Sequence, residues 1–106
     1  MGLFDLFTAA DINKGVEEYR ATEGAVLIDV RGADEYRQGH IPGSVGIPLD
    51  SIEQVLSAYP KKDTPLFVYC LSGARSGRAV GYLQRAGYTN VKNVGGINGY
   101  SGKVVR

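Results

Sequence analysis

The single cysteine of this chain, Cys70, closes the apolar run Leu66-Phe67-Val68-Tyr69-Cys70 and is followed at once by Leu71-Ser72-Gly73-Ala74 and Arg75-Ser76. A thiol at the end of a buried strand, a short glycine-containing loop and a helix start have a specific use in combination. The loop N–H groups and the unpaired donors of the first helical turn converge on the space around the sulfur. Arg75, with Arg78 one turn further on, adds positive charge. These features favour thiolate over thiol, and the same cradle would hold an oxyanion through N–H groups and a guanidinium. A lone cysteine more often serves as a small core hydrophobe. The context Ser72-Gly73-Ala74-Arg75-Ser76, which joins a turn, a helix start and an anion ligand, tips Cys70 toward a nucleophile.

Composition narrows the alternatives. One Cys and one His exclude an intramolecular disulfide and a Cys2His2 zinc site, so neither a metal nor a cofactor is expected. Twelve Lys+Arg against eleven Asp+Glu leave a net charge of +1, which argues against general nucleic-acid affinity. No apolar run approaches the roughly 18 residues that span a bilayer. The opening Met1-Gly2-Leu3-Phe4-Asp5-Leu6-Phe7 lacks the basic start and long apolar run of a signal peptide. A cytoplasmic monomer is therefore expected, with residues 1–7 an apolar segment laid on the domain. At 106 residues the chain has room for one domain and no second.

The elements that would position Cys70 follow from periodicity. Thr8 and Asp11 suit the start of a helix whose apolar stripe is Ile12, Val16 and Tyr19 and which Gly24 closes. Ala25 to Val30 is a continuous apolar run of strand length, the pattern of a strand buried on both faces. Ala33 to Gln38 reads as a short helix, Gly39 to Ser44 as loop, and Val45 to Ile47 as a short strand. Pro48 leads into a helix carrying Ile52, Val55, Leu56 and Tyr59. Leu66 to Cys70 is a second buried strand, and Arg75 to Ala86 a helix with Ala79, Val80 and Leu83 inward. Val91 to Val94 is a last strand, with Gly95-Gly96 opening a final helical turn. Alternating strands and helices predict an α/β fold: a mostly parallel sheet of about five strands with helices on both faces. In such folds ligands gather at the carboxyl ends of the strands, where Cys70 and its loop stand.

Other residues carry their own expectations. Asp29 ends an apolar strand and needs a fixed partner when buried. Arg31 either faces the mouth and binds donor anions or anchors Asp29 or Glu35. His40, within Gly39-His40-Ile41-Pro42-Gly43, is expected to fix the loop through backbone hydrogen bonds, since a thiolate ionised by its surroundings needs no general base.

Three stretches together resemble the rhodanese-like sulfurtransferase family, from about residue 8 to residue 102. Ile28-Asp29-Val30-Arg31, Glu35-Tyr36, Gly39-His40-Ile41-Pro42-Gly43-Ser44 and Ile47-Pro48 resemble its first signature. Cys70 to Ser76 resembles its active-site loop, and Val94-Gly95-Gly96-Ile97 its C-terminal signature. The resemblance implies a single rhodanese-like domain in which Cys70 takes a sulfur atom from a small anionic donor such as thiosulfate, releases sulfite and becomes a persulfide. A thiophilic acceptor, cyanide or a small or protein thiol, then removes that sulfur. The N–H groups from Leu71 to Ser76 would steady the persulfide, and Arg75 would orient the donor. Related phosphatases and arsenate reductases close this loop as Cys-x5-Arg, whereas the arginine here stands at Cys-x4-Arg. The resemblance thus favours sulfur transfer over phosphate hydrolysis, with a sulfur-carrier module dedicated to one protein partner as the alternative. Relatives often place Trp after the last Gly-Gly, where this chain has Tyr100.

Overall fold

The computed structural model describes residues 10–106. Helix α1 (Ile12–Ala21) is capped by Asp11, whose carboxylate accepts from the Asn13 N–H at 3.0 Å. Thr8, expected to share the cap, lies outside the described residues, as does the apolar segment 1–7.

Four strands make one sheet: β1 (Val26–Asp29), β2 (Val45–Gly46), β3 (Leu66–Cys70) and β4 (Val91–Gly96). Their order is β2-β1-β3-β4, and every neighbouring pair is parallel. Among the described residues the sheet has four strands where about five were expected, and the α/β architecture is otherwise as expected. The remaining apolar pair, Val104-Val105, lies in the terminal stretch and forms only an isolated antiparallel bridge, Val105 to His40. Parallel neighbours require crossovers; helices of those crossovers cover one face of the sheet, and α1, which precedes β1, covers the other.

Side-chain alternation along β1 and β3 sorts the core into two layers. Leu27, Phe67 and Tyr69 face α1 with Ile12, Val16, Ile41 and Val94. Ile28, Val68 and Cys70 face the other way, against Ala79 and Leu83 of α4 (Ala74–Arg85) and Val55 of α3 (Gln54–Ala58). All five residues of β3 are buried, as an unbroken apolar run flanked by two parallel partners demands.

Two elements differ from their sequence-based outlines. The segment after Pro48 is a 3-10 turn, Leu49–Ser51, followed by the five-residue α3, with Ile52 and Val55 still buried. Between two prolines the stretch is too short for cooperative helix formation, and tertiary packing decides its shape. Strand β4 runs on through Gly95 and Gly96, which pair with Tyr69 and Cys70, and a 3-10 turn (Ile97–Gly99) begins only afterwards. A register shift opposite Val68 and Tyr69 leaves Val94 as an extra residue in β4, a bulge just below the end of the strand. Helix α2 (Ala33–Gln38) buries no residue fully and carries Glu35 and Tyr36 at the sheet edge. No described helix is long and apolar enough to cross a membrane.

Candidate active site

Cys70 sits at the carboxyl end of the central strand β3, only 1% exposed. Its Sγ accepts a hydrogen bond from the Gly73 N–H at 3.0 Å and faces the Ser76 hydroxyl at 3.4 Å. The turn that makes this possible depends on Gly73, whose φ of +103° lies in the region a side chain disfavours. From that turn α4 starts at Ala74, one residue earlier than the sequence suggests, and the Gly73 carbonyl accepts its first intrahelical bond, from Gly77 N–H.

Two opposing effects act on the thiol. Burial raises its pKa; the Ser76 hydroxyl and the N–H groups of Ser76, Gly73 and Ser72 lower it, and the donors win. The sulfur therefore stands in an apolar layer yet is met by donors on its open side, the arrangement that stabilises a thiolate.

The loop rests on β4. A Cβ at Gly96 would come within 2.6 Å of Ser72 Cα, so only glycine admits the loop at this approach. The Asn98 N–H donates to the Leu71 carbonyl at 3.2 Å and holds the other side. Leu71, Ser72 and Ala74 present an exposed, uncharged rim, with Leu71 45% exposed.

Arg75, the cation expected at the donor, grips Glu35 of α2 through two bonds of 2.8 and 3.1 Å. Glu35 also accepts from the Gly32 N–H at 2.9 Å. The Arg75 bonds first, and the Gly32 bond next, lower the Glu35 carboxyl to about 2. Both side chains of the pair remain 36% exposed at the surface. Arg78 instead lines a groove with Leu49, Asp50 and Tyr82.

Arg31 is buried and turned toward Asp29, meeting it through Nε and Nη2 at 2.8 to 3.1 Å, while Nη2 also donates to the Gly39 carbonyl at 2.7 Å. Of the two roles open to Arg31, anchoring is the one with contacts. The Asp29 carboxylate additionally accepts the Arg31 N–H at 2.9 Å, so a fully buried charge has its partner. His40 stacks on Tyr36 at 3.8 Å and its Nδ1 meets the Tyr36 carbonyl at 2.8 Å, which places it in the loop framework.

These features match one family by sequence. The family model described as a Rhodanese-like domain covers residues 8–103. The chain belongs to the rhodanese-like family. It is 42% identical over 71 residues to the thiosulfate sulfurtransferase PspE of Escherichia coli, covering 66% of this chain and 68% of that protein. A sulfurtransferase of Allochromatium vinosum is 43% identical over 77 residues, covering 72% and 71%. Among solved structures, a rhodanese with anions from E. coli superposes with a TM-score of 0.72 at 37% identity, covering 77% of this chain and 98% of that one. A rhodanese-like domain protein from Staphylococcus aureus gives 0.78 at 25% identity, covering 94% and 99%. The rhodanese-like architecture, a parallel sheet flanked by helices, is the one described above.

Two residues of this rhodanese-like site escaped sequence reasoning. Tyr69, fully buried, accepts from the Ile41 N–H and donates to Ser44 Oγ, each at 3.1 Å, and so pins the signature loop to the central strand. Asn93 reaches the Cys70 loop from β4: its Nδ2 donates to the Gly73 carbonyl at 3.1 Å and its Oδ1 lies 2.7 Å from Ser76 Oγ. A polar amide inside a strand was the available signal for Asn93; for Tyr69 only its hydroxyl in an apolar run was. Tyr100 packs partly buried against the α1 layer.

Proposed function

We propose that this chain is a sulfurtransferase that carries sulfane sulfur on Cys70. The observation that carries the reading is the ring of donors on the sulfur: the Gly73 N–H at 3.0 Å, the Ser76 hydroxyl at 3.4 Å, and a thiol pKa lowered by them. In the first half-reaction the Cys70 thiolate attacks the outer sulfur of the donor. With thiosulfate the S–S bond breaks, sulfite leaves with the bonding electrons, and Cys70 becomes a persulfide anion. In the second, a thiophilic acceptor attacks the outer sulfur and the thiolate is regenerated. Charge balances in both halves, and a covalent intermediate implies ping-pong kinetics.

The residues from Leu71 to Ser76 are the binding loop in this reading. Its N–H groups meet the persulfide, and Arg75 orients an anionic donor. Asp29, Arg31, Glu35 and His40 hold the frame. Because Glu35 matches the charge of Arg75 and the rim of Leu71, Ser72 and Ala74 is neutral, a singly charged persulfide donor fits the mouth better than the thiosulfate dianion. A thiol or a protein is the acceptor that the apolar Leu71 at the rim suits. The chain acts as a cytoplasmic monomer in this reading.

Exposure to thiosulfate or a small persulfide should add about 32 Da, one sulfur atom, to the protein, and cyanide should remove it as thiocyanate. Cys70→Ser is expected to abolish both adduct and turnover while the fold persists. Full activity in that variant overturns the reading. Rapid adduct formation with release to one acceptor protein alone would instead identify a sulfur carrier.

A further inference from the structure

The amide of Asn93 lies behind the sulfur loop and touches the Ser76 hydroxyl and the Gly73 carbonyl, and these two residues also supply the hydrogen bonds of 3.4 and 3.0 Å to Cys70 Sγ. Its orientation is forced by its neighbours. The Gly95 N–H, 3.0 Å away, can only donate and therefore faces Oδ1; the Gly73 carbonyl, 3.1 Å away, can only accept and therefore faces Nδ2. The Oδ1 that Ser76 Oγ approaches at 2.7 Å is thus an acceptor, and it fixes where the Ser76 hydroxyl can stand. Ser76 Oγ also lies 3.1 Å from the Gly73 carbonyl and 3.4 Å from Cys70 Sγ, so one hydroxyl proton has three possible acceptors.

From this geometry we infer that Asn93 is a positioning residue for Cys70, clamping the Gly73 carbonyl away from the sulfur and holding Ser76 Oγ beside it. Because the Gly73 carbonyl is tied to Nδ2, the Gly73 peptide keeps its turn and the N–H of the same residue stays aimed at Sγ. With Ser76 Oγ tied to Oδ1, the hydroxyl waits beside the sulfur. When Cys70 carries its proton, the thiol donates to Ser76 Oγ and Ser76 donates to Asn93. When Cys70 ionises, the Ser76 proton swings to the thiolate, while Asn93 Oδ1 keeps the bond from Gly95 N–H. Once the outer sulfur is loaded, the charge moves off Sγ and the proton returns to Asn93. The two-position hydroxyl therefore lets the same small pocket satisfy thiol, thiolate and persulfide without moving backbone. Lowering of the Cys70 pKa by the Ser76 hydroxyl and by the Gly73 N–H is consistent with that arrangement.

The inference rests on Cys70 as the reactive thiol, and its test does not need turnover. Asn93→Ser retains an oxygen two residues before Gly95 that can accept the Gly95 N–H, as Ser does in such turns, but is too short to reach Gly73 and Ser76. A purely structural role at the β4 bulge is therefore rescued by serine, whereas the clamp is not. The midpoint of thiolate formation, followed by absorbance near ~240 nm and by the pH dependence of alkylation, should rise by about one unit when Asn93→Ser is added to Ser76→Ala, the size of a lost hydrogen bond to a charged group. In the parent background Asn93→Ser should raise it by less, because losing Oδ1 also frees the Ser76 proton for the thiolate, so the shift in the double variant should exceed the sum of the two single shifts. An unchanged or lowered midpoint on adding Asn93→Ser to Ser76→Ala, or a double variant at or below the sum of the single shifts, overturns the clamp. If the midpoints move as expected but no donor ever loads Cys70, it is the sulfur-transfer reading that fails and not this one.

Discussion

An anionic sulfur in a largely apolar layer is tolerable only where donors replace the water it has lost. Around Cys70 those donors are main-chain N–H groups and one hydroxyl, which do not titrate and cost no reorganisation as charge develops. Arg75 contributes differently: its guanidinium stands at the surface in a bidentate pair, where solvent screens it. In the sulfur-transfer reading its main effect is on the capture of charged donors, while its charge interaction with Cys70 is secondary to the donors on the sulfur. Arg75→Ala should accordingly raise KM for thiosulfate roughly tenfold, about the worth of one charge-assisted hydrogen bond, with a smaller change in kcat. Steady-state kinetics on thiosulfate beside a less charged donor checks this, and an equal loss on both donors counts against it.

Single elements matter through what they bring within reach of the loop. The end of β4 is a floor for residues 71–72, and its closeness leaves no room for a methyl group at position 96. Gly96→Ala should lower thermal stability, by about 1–3 kcal/mol as overpacking does, and should slow persulfide formation more than Gly24→Ala does. Gly24→Ala is a strained comparison away from the site, since the φ of Gly24 is +76° with nothing near it, whereas Gly96 is extended at −122° and suffers crowding alone. Helix α2 acts through Glu35, which joins the first signature to the loop across the ion pair with Arg75. The Glu35 carboxyl is lowered from 4.5 to about 2 in the folded protein. A depressed carboxyl contributes stability that is fully present above its unfolded value and lost as pH falls through its folded value. The melting temperature should therefore fall between pH 4.5 and about 2 by more in the parent protein than in Glu35→Gln, and the two should converge at the acid end. Parallel pH–melting curves for the two proteins would contradict this.

Across the whole molecule, β3 is the axis. It is paired on both sides, buried at every position and packed by α1 on one face and α4 on the other. The Cys70 sulfur is thus attached to a strand locked on both sides and both faces, while the loop it faces is surface. Amides of β3 should exchange with solvent only through global unfolding, so their protection should be the highest in the chain and fall in step with stability in destabilised variants. Hydrogen exchange read residue by residue checks this; fast exchange at Val68 or Tyr69 would show that the axis opens separately.

Much of this was readable from residue order. Apolar runs at 25–30 and 66–70 announce buried parallel strands, the helical stripes fall where Ile12, Val16, Ala79 and Leu83 are buried, and the family follows from contiguous motifs. Such signals are local: a period, a turn residue and a neighbour a few positions away suffice to create them. What residue order left open concerns partners far apart along the chain. Arg75 meets Glu35 across forty residues, Asn93 meets Gly73 across twenty, and Tyr69 meets Ile41 across twenty-eight. Whether Arg31 reaches outward or turns back to Asp29, and whether Gly95-Gly96 ends a strand or starts a helix, depends on the space that remains once the sheet is assembled. Only packing supplies that space, because a side chain's hydrogen-bond partner is chosen by proximity in three dimensions and not by separation in sequence.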